Sequence, residues 1–240
     1  MKAPQSRPQL VALASEPQPH RPVQLVSVAS LPTRFGEFRV AAFTPDANGD
    51  EHLAIVRGHV RGCTDVPMRI HSECLTGDVI GSLRCDCRDQ LESALRQIGT
   101  MSFGALLYLR QEGRGIGLTN KVRAYALQDC GHDTVEANHM LGFSDDERDY
   151  RVAGEMAHAL GIQSVQLMTN NPRKLDGLRA HGIPVSGRLP LVIPPNHHNA
   201  TYLLTKQNRS GHLLSMSEST VDELLGSKLT VDDLRASAGA

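Results

Sequence analysis

The chain has 240 residues, of which 40% are apolar and 21% charged, and its formal net charge is −1. These values are typical of a globular protein with one large domain or two small ones. The near-zero charge excludes a global positive field for nucleic acid, and the 4% aromatic content argues against stacking platforms for single strands. No apolar run approaches the roughly 18 residues that span a bilayer, and no signal peptide is recognisable. We therefore expect a cytoplasmic protein that binds neither nucleic acid nor membrane.

The two ends of the chain differ from the rest in composition. Residues 1–25 are rich in Pro, Gln and Ser without hydrophobic periodicity, which predicts a flexible N-terminal tail. Residues 215–240 form a predicted C-terminal tail with two similar pieces, Thr220–Leu225 and Thr230–Arg235, each typical of a short capped helix. The duplication is too short for a repeat architecture, and we assign it no chemistry.

The first predicted element is a β-hairpin. Residues Glu37–Phe43 roughly alternate between apolar and polar, a turn cluster follows at 46–50, and His52–Val56 resumes the strand. Further strands are predicted at Val66–His71, Ala105–Leu109 and Val165–Met168.

Helices are predicted between these later strands. After Cys87, apolar residues recur at helical spacing, which indicates an amphipathic helix. Further helices are predicted at 118–129, from a capping Ser144 to about Gly161, and from Asn171 to Gly182. This alternation predicts an α/β fold that has a mixed sheet, helices packed on both faces and an N-terminal antiparallel hairpin.

Three cysteines, Cys74, Cys85 and Cys87, lie on one short segment. Three thiolates leave a tetrahedral metal one protein ligand short, and catalytic zinc sites keep such a position for water. Two other interpretations stay open: buried thiols, or a structural site closed by a fourth ligand such as His71. The odd total of five cysteines argues against disulfides, and Cys63 and Cys130 show no partner pattern.

Two segments that follow strands could bind anions. In the loop Glu112–Gly117, glycines allow close backbone approach and Arg114 offers a bidentate phosphate contact, although an ordinary strand–helix turn has the same pattern. In Thr169–Lys174, basic residues surround a helix start, which helix capping by Asn171 would also explain. Ligands of open α/β sheets bind at the carboxyl ends of strands, where all three motifs lie.

Six segments together closely resemble the GTP cyclohydrolase II family, across about residues 26–214. They are Arg69–Asp78, Ser82–Cys87, Arg110–Leu118, Lys121–Gln128, Asp133–Asn138 and Leu167–Pro172. The resemblance implies a catalytic domain over 26–214 that hydrolyses GTP at the entry of riboflavin biosynthesis. It would release formate and pyrophosphate, leaving a diamino-ribosylamino-pyrimidinone 5′-phosphate. It further implies one Zn²⁺ per subunit, Mg²⁺ with the triphosphate, and a homodimer.

The resemblance also assigns roles to single residues. It implies zinc ligands at Cys74, Cys85 and Cys87, a proton acceptor at Asp146, a nucleophile toward the α-phosphate at Arg148, and at Tyr125 a residue that completes formamide hydrolysis. The implied GTP contacts are Arg69, Ile70, His71, Ser72, Glu73, Gln90, Glu112, Gly113, Arg114, Thr134, Thr169 and Lys174. Among these, Glu73, Gln90 and Glu112 are candidates to read the guanine edge.

Two of these assignments meet physical objections. A protonated guanidinium is a poor nucleophile, whereas Arg148 could act as a phosphate clamp without activation. Two residues of a regular helix spaced like Asp146 and Arg148 would not face each other. Arg88 stands where the family commonly has glycine, and a left-handed backbone there would be strained.

Two rival functions stay open. One is a related enzyme that stops at the formamide, which the presence of Tyr125 argues against. The other is a non-enzymatic zinc protein that binds nucleotides or RNA, which the near-neutral charge and few aromatics argue against.

Overall fold

The computed structural model describes residues 22–214. The predicted tails, apart from residues 22–25, and the two short C-terminal helices lie outside the described residues. The strands are β1 (Leu25–Thr33), β2 (Gly36–Phe43), β3 (Leu53–Arg57), β4 (Val66–Ser72), β5 (Gly104–Leu109), β6 (Val165–Met168) and β7 (Val185–Leu189). The helices are α1 (Cys87–Thr100), α2 (Gly117–Asp129), α3 (Thr134–Met140), α4 (Arg151–Leu160), α5 (Pro172–Ala180) and α6 (Ala200–Ser210).

The seven strands form one mixed sheet in the order β1-β2-β3-β5-β4-β6-β7. Strands β1, β2, β3 and β5 pair antiparallel, whereas β5, β4, β6 and β7 pair parallel. The predicted hairpin is confirmed as β2 and β3. The edge strands β1 and β7 were not predicted, because their side chains are mostly exposed or half-buried and carry a weak apolar pattern.

Helices cover both faces of the sheet, as predicted. On one face Leu107 and Leu109 of β5 share a buried cluster with Met156 of α4 and Leu178 of α5. On the other face Leu106 of β5 packs with residues of α1 such as Ile98, and Tyr108 lies partly buried against the same cluster. The alternation of β5 side chains between two apolar layers explains why this strand reads as a continuous hydrophobic run. None of the helices in the described range has the length and apolarity needed to cross a bilayer.

One predicted helix start is wrong. Helix α4 begins at Arg151 instead of Ser144, and residues 144–150 form an irregular loop. The backbone N–H of Ser144 does donate to the Glu147 carboxylate, as in a capping box, at 2.7 Å. However, the N–H of Glu147 donates at 3.0 Å to the carbonyl of Arg114, in another loop. A tertiary contact therefore overrides the local helix signal here.

Candidate functional site

A single cleft lies where the carboxyl ends of β4, β5 and β6 meet. Strand β4 leads into the cysteine segment, β5 into the Glu112–Gly115 turn, and β6 into Thr169–Lys174. These three segments line the cleft together, and the part of the chain after residue 200 supplies a further wall through Tyr202, Leu203, Lys206, His212 and Leu214. The sheet topology thus brings together motifs that are up to about 100 residues apart in sequence, as expected for a ligand site in a parallel sheet.

One end of the cleft, called here the thiol end, is built around Cys74, Cys85 and Cys87. Their sulfur atoms lie within 4.8 Å of one another, and those of Cys74 and Cys85 are 3.6 Å apart. A Cβ added at Gly77 would lie 2.9 Å from the Cys85 sulfur and 3.0 Å from the Cys74 sulfur, so only glycine fits against the cluster. Three converging soft donors match the ligand set of a metal such as zinc.

The protonation of these thiols also favours a cation. Hydrogen bonds from Cys85 and Cys87, together with Lys121, hold the pKa of Cys74 far below its ordinary value. The Cys74 sulfur in turn raises the pKa of Cys85 to about 11 and raises that of Cys87. Without a metal, one thiolate therefore suppresses the ionisation of the others, and a bound cation would relieve this repulsion.

Lys121, which was not predicted as a site residue, joins the thiol end to the Glu112 turn. Its ammonium donates at 3.0 Å to the Cys74 sulfur and at 2.7 Å to Glu112 Oε1. The same carboxylate accepts from the N–H of Leu75 at 2.6 Å and from the N–H of Gly113 at 2.8 Å. A buried lysine four residues into a helix gives no signal in sequence beyond being polar on an inward face.

His71 is not part of the cysteine cluster, so the interpretation that it closes a four-ligand site is not supported. Its Nε2 instead lies 3.0 Å from Asp78 Oδ2, and its ring stacks on Tyr108 with centroids 5.4 Å apart. Burial lowers the pKa of His71, and the cations Arg69 and Lys174 act in the same direction against Asp78.

A second part of the cleft, called here the cationic end, gathers Arg69, Arg114, Arg148, Lys174 and Lys206. Arg69 and Lys174 are buried, yet their hydrogen bonds go to neutral groups: Arg69 to the carbonyl of Met168 at 2.8 Å and to Gln90, and Lys174 to the carbonyl of Ile70 at 2.8 Å. Burial lowers the pKa of Arg69 to about 10 and lowers that of Lys174, and nearby cations add to both effects. Positive charge without full compensation is the feature that a polyanion would satisfy.

Arg148 and Asp146 form an ion pair in the irregular loop. Arg148 Nε and Nη2 lie 2.7 and 2.6 Å from the two oxygens of Asp146. Because residues 144–150 are not helical, the two side chains can face each other, which a regular helix would prevent. Burial alone would raise the pKa of Asp146, but Arg148 lowers it below the ordinary value, and the pKa of Arg148 is raised.

The glycine-rich turn is held in an unusual conformation. Arg114 has a φ of 63°, one of two non-glycine residues with positive φ in the described range. A Cβ at Gly115 would lie 2.9 Å from the backbone of Glu147, so the turn and the 144–150 loop interlock at a glycine. Such strain in a non-glycine residue persists where the surroundings enforce it, which is common at functional sites.

Helix α6 and the segment after it add two charged or polar groups that the sequence did not mark as site residues. Lys206 lies 3.3 Å from Asp86, a buried residue that stands between Cys85 and Cys87 in the sequence. His212 lines the cleft, and burial together with Lys206, Arg114, Arg148 and Lys174 lowers its pKa to about 3. Neither residue is marked by a turn or capping pattern, so its place in the site depends on how α6 packs.

Most of the predicted site residues line the cleft. Those found there are Arg69, His71, Ser72, Glu73, Cys74, Cys85, Cys87, Gln90, Glu112, Gly113, Arg114, Tyr125, Thr134, Arg148, Thr169 and Lys174. The side chain of Ile70 is fully buried in the core, on the other face of β4, and only its carbonyl meets the site through Lys174. Asp146 lies in an adjoining pocket with Arg148 and Arg173.

Buried polar atoms without a partner concentrate at this cleft. Among the described residues, Arg69 Nε, His71 Nδ1, Ser72 Oγ and His212 Nδ1 are buried and make no hydrogen bond. All four residues line the cleft. Because buried polar groups are almost always paired in folded proteins, the cleft is built for a polar ligand.

Comparisons with known proteins place the chain in a family. The sequence profile of GTP cyclohydrolase II matches residues 24–190. The GTP cyclohydrolase-2 of Picrophilus torridus is 56% identical over 191 residues, which cover 80% of this chain and 99% of that protein. The protein of the same name from Azotobacter vinelandii is 53% identical over 206 residues, which cover 85% of this chain and 99% of that protein.

A structural comparison adds little. A two-domain 3,4-dihydroxy-2-butanone 4-phosphate synthase from A. baumannii aligns with a TM-score of 0.40 at 16% identity, over 72% of this chain and 41% of that one. A likeness this weak carries no argument about fold or function. The sequence matches, by contrast, span most of the chain and nearly the full length of both relatives. The chain therefore belongs to the GTP cyclohydrolase II family.

Proposed function

We propose that this protein hydrolyses GTP, opening the imidazole ring of guanine and releasing formate and pyrophosphate, as the entry step of riboflavin biosynthesis. The observation that carries the proposal is one cleft with two chemically different ends. A three-thiol site at one end suits a metal that supports attack on a ring carbon, and a cation cluster at the other end suits a triphosphate. The family of the chain supports the same reaction.

Zinc at Cys74, Cys85 and Cys87, one ion per subunit, fits the donor set of the thiol end. When bound there, zinc supplies a water whose pKa is lowered to about 7. Lys121 donates to the Cys74 sulfur and so balances part of the negative charge of three thiolates. Through Glu112, the same lysine fixes the turn that borders the substrate against the cysteine segment.

Tyr125 is suited to act as a hydrogen-bond donor beside the thiol end. Its hydroxyl lies 3.3 Å from Thr76 Oγ1, and Arg84 covers its ring at 4.9 Å. Burial raises the pKa of Tyr125, so the phenol keeps its proton at neutral pH. A protonated phenol can stabilise negative charge on a formyl oxygen, which fits a role in completing formamide hydrolysis.

At the cationic end we propose that Arg148 clamps the α-phosphate and that Asp146 holds Arg148 in place. The raised pKa of Arg148 keeps the guanidinium protonated, which favours a clamp over a nucleophile. The lowered pKa of Asp146 makes it a weak proton acceptor while both of its oxygens face Arg148. Mg²⁺ bound with the triphosphate would neutralise further charge.

The three candidates for reading the guanine edge differ in how their side chains are occupied. Glu112 accepts three hydrogen bonds from protein groups, and Gln90 donates to Asp86 at 2.5 Å while accepting from Arg69. Glu73 has one contact with Arg110, at 3.5 Å. We therefore propose Glu73 as the carboxylate that accepts hydrogen bonds from guanine.

The test is mass spectrometry of the products after zinc-loaded protein is incubated with GTP and Mg²⁺. Formate, pyrophosphate and the diaminopyrimidinone monophosphate together would support the full reaction. A monophosphate that retains the formamide would indicate the related enzyme that stops early, and unchanged GTP would reject the proposed function. Sedimentation of the same sample tests the homodimer that the family resemblance implies.

A further inference from the structure

Asp78 sits behind the cleft and gathers three polar groups. Its Oδ2 accepts from the N–H of Cys74 at 3.0 Å and from the hydroxyl of Tyr108 at 2.8 Å. The Nε2 of His71 lies 3.0 Å from Oδ2 and 3.1 Å from Oδ1. The side chains of His71 and Asp78 are each 3% exposed. His71 lines the cleft, whereas Asp78 does not, so Asp78 acts on a ligand through the groups it holds and not by direct contact.

This geometry fixes the tautomer of His71. An ionised carboxylate only accepts hydrogen bonds, so the proton of the neutral imidazole lies on Nε2. Nδ1 then carries a lone pair. That atom is buried and has no hydrogen-bond partner within residues 22–214. A buried acceptor left unpaired is unfavourable, and because His71 lines the cleft a bound ligand can supply the missing partner.

We propose that Asp78 is a positioning residue, which holds His71 as the Nε2–H tautomer so that Nδ1 accepts a hydrogen bond from the nucleoside part of GTP. The inference rests on the proposed function for the identity of the ligand. The choice of the nucleoside follows from hydrogen-bond chemistry. A fully ionised phosphate oxygen has no hydrogen to donate to Nδ1, whereas guanine N–H and ribose O–H groups do.

The substitution Asp78→Asn should invert the tautomer while changing the shape little. Two donors, the Cys74 N–H and the Tyr108 hydroxyl, converge on Oδ2, so the asparagine oxygen takes that place. The asparagine NH₂ group then faces His71 Nε2, which must accept. The imidazole proton moves to Nδ1, and an acceptor toward the cleft becomes a donor.

The first experiment is nitrogen NMR of the zinc-loaded full chain with ¹⁵N-labelled histidine, the His71 signals being those that disappear in His71→Ala. We expect a bare Nδ1 in the wild type, a protonated Nδ1 in Asp78→Asn, and no change of tautomer in the matched control Tyr108→Phe. A wild-type His71 with its proton on Nδ1 would overturn the proposal. This measurement needs no turnover, so inactivity toward GTP would reject the proposed function without altering this result.

Adding ligands to the same labelled protein then tests which part of GTP contacts Nδ1 of His71. A non-hydrolysable GTP analogue should shift the Nδ1 resonance of His71, and inorganic triphosphate should not. A shift with triphosphate equal to that with the analogue would contradict the proposal. Comparison with the 2′,3′-dideoxy analogue separates the two donors: the shift persists if the donor is guanine and is lost if it is a ribose hydroxyl.

The second experiment is a double-mutant cycle on kcat/KM. We expect Asp78→Asn alone to lower kcat/KM by about 10- to 100-fold, because a matched hydrogen bond becomes a donor–donor contact. In the His71→Ala background the same substitution should cause no further loss, since Asp78 acts through His71. An equal loss in both backgrounds would mean a merely structural role. Should Asp78→Asn fail to fold, the wild-type tautomer and ligand shifts still decide.

Discussion

The thiol end and the cationic end of the cleft differ in how completely their buried charges are matched by protein partners. At the thiol end buried charges are matched by direct partners: Lys121 with Glu112 and Cys74, and Asp78 with His71. At the cationic end Arg148 and Lys206 pair with Asp146 and Asp86, whereas the buried side chains of Arg69 and Lys174 donate to neutral groups. A site whose charges already match is preorganised around one small ion, whereas a site with surplus buried cations is complete only when a polyanion arrives.

The connections between the strands explain where along the sheet the site can form. In the antiparallel half, the connections from β1 to β3 contain no helix, and Asp46 of the β2–β3 loop is occupied by hydrogen bonds from Asn48 and Asp50 of the same loop. The parallel half needs long crossovers, and each one starts at the carboxyl end of a strand with a segment free to carry ligands. Among the described residues, the strand side chains that line the cleft are those of Arg69, His71 and Ser72 in β4, and the segments that follow β5 and β6 supply residues such as Glu112 and Thr169.

The largest effect should come from breaking the thiol end itself. We expect Cys85→Ser to lose bound zinc and to lower formate release more than about 100-fold, because a three-ligand site has no spare donor. Metal analysis and a formate assay measure the two effects, with Cys130→Ser, an exposed thiol outside the cleft, as the matched control. Formate release at the wild-type rate in Cys85→Ser would reject the zinc mechanism.

Breaking the cationic end should leave the metal in place. We expect Arg148→Ala to lower pyrophosphate release by about 10²- to 10³-fold, the range for loss of a transition-state charge contact. Arg148→Lys should recover only part of the rate, because an ammonium cannot make the bidentate contact. Zinc content should stay at the wild-type level in both.

The control is Arg151→Ala, whose side chain is 37% exposed and pairs with Asp149. We expect it to release pyrophosphate at nearly the wild-type rate. Loss of zinc from Arg148→Ala would mean that the two ends of the cleft are not independent. A wild-type rate in that variant would remove Arg148 from the phosphate chemistry.

Sequence alone predicts the strands and helices that lead into the site, and it misses what joins them. The cysteine segment, the glycine-rich turn and Thr169–Lys174 each follow a buried strand with a strong apolar pattern, which is why they were recognisable. Lys121, Asp78 and Lys206 act through contacts between segments that are far apart in the sequence. Such contacts leave no periodic trace in sequence, and residues 144–150 show that one of them can even cancel a valid helix signal.

Replacing the buried cation Lys174 should weaken GTP binding and at the same time stabilise the folded protein. We expect Lys174→Met to raise KM for GTP about tenfold and to raise the free energy of unfolding by about 1–2 kcal/mol, because an apolar side chain relieves the burial of charge beside Arg69 and Arg148. Kinetics and denaturant titration measure these effects. The control is Arg173→Met at the neighbouring residue, whose side chain is 52% exposed, and it should leave the free energy of unfolding nearly unaltered.

The stability of the wild type and of Lys174→Met should also depend differently on pH. The pKa of Lys174 in the folded protein lies below its ordinary value of 10.5, so between the two values the unfolded chain binds more protons. Stability of the wild type should therefore rise with pH through that window. The advantage of Lys174→Met should be largest below the folded pKa and fade toward pH 10.5. A stability difference between Lys174→Met and the wild type that stays constant across this range would contradict a lowered pKa for the buried Lys174 ammonium.

The smallest expected effect concerns Arg88, which stands where the family commonly has glycine. Arg88 lies in the first turn of α1 with an ordinary helical backbone, since Asp65 and Arg114 are the non-glycine residues with positive φ in the described range. Arg88→Gly should therefore relieve no strain. We expect it to lower the free energy of unfolding by about 0.5–1 kcal/mol, through backbone entropy and loss of the contact with Glu92 at 3.2 Å. Zinc content and formate release should not change, because Gly77, Lys121 and Asp78 fix the thiol end and the residue after the last cysteine does not. A changed zinc affinity in Arg88→Gly would show that α1 also sets the geometry of the sulfurs.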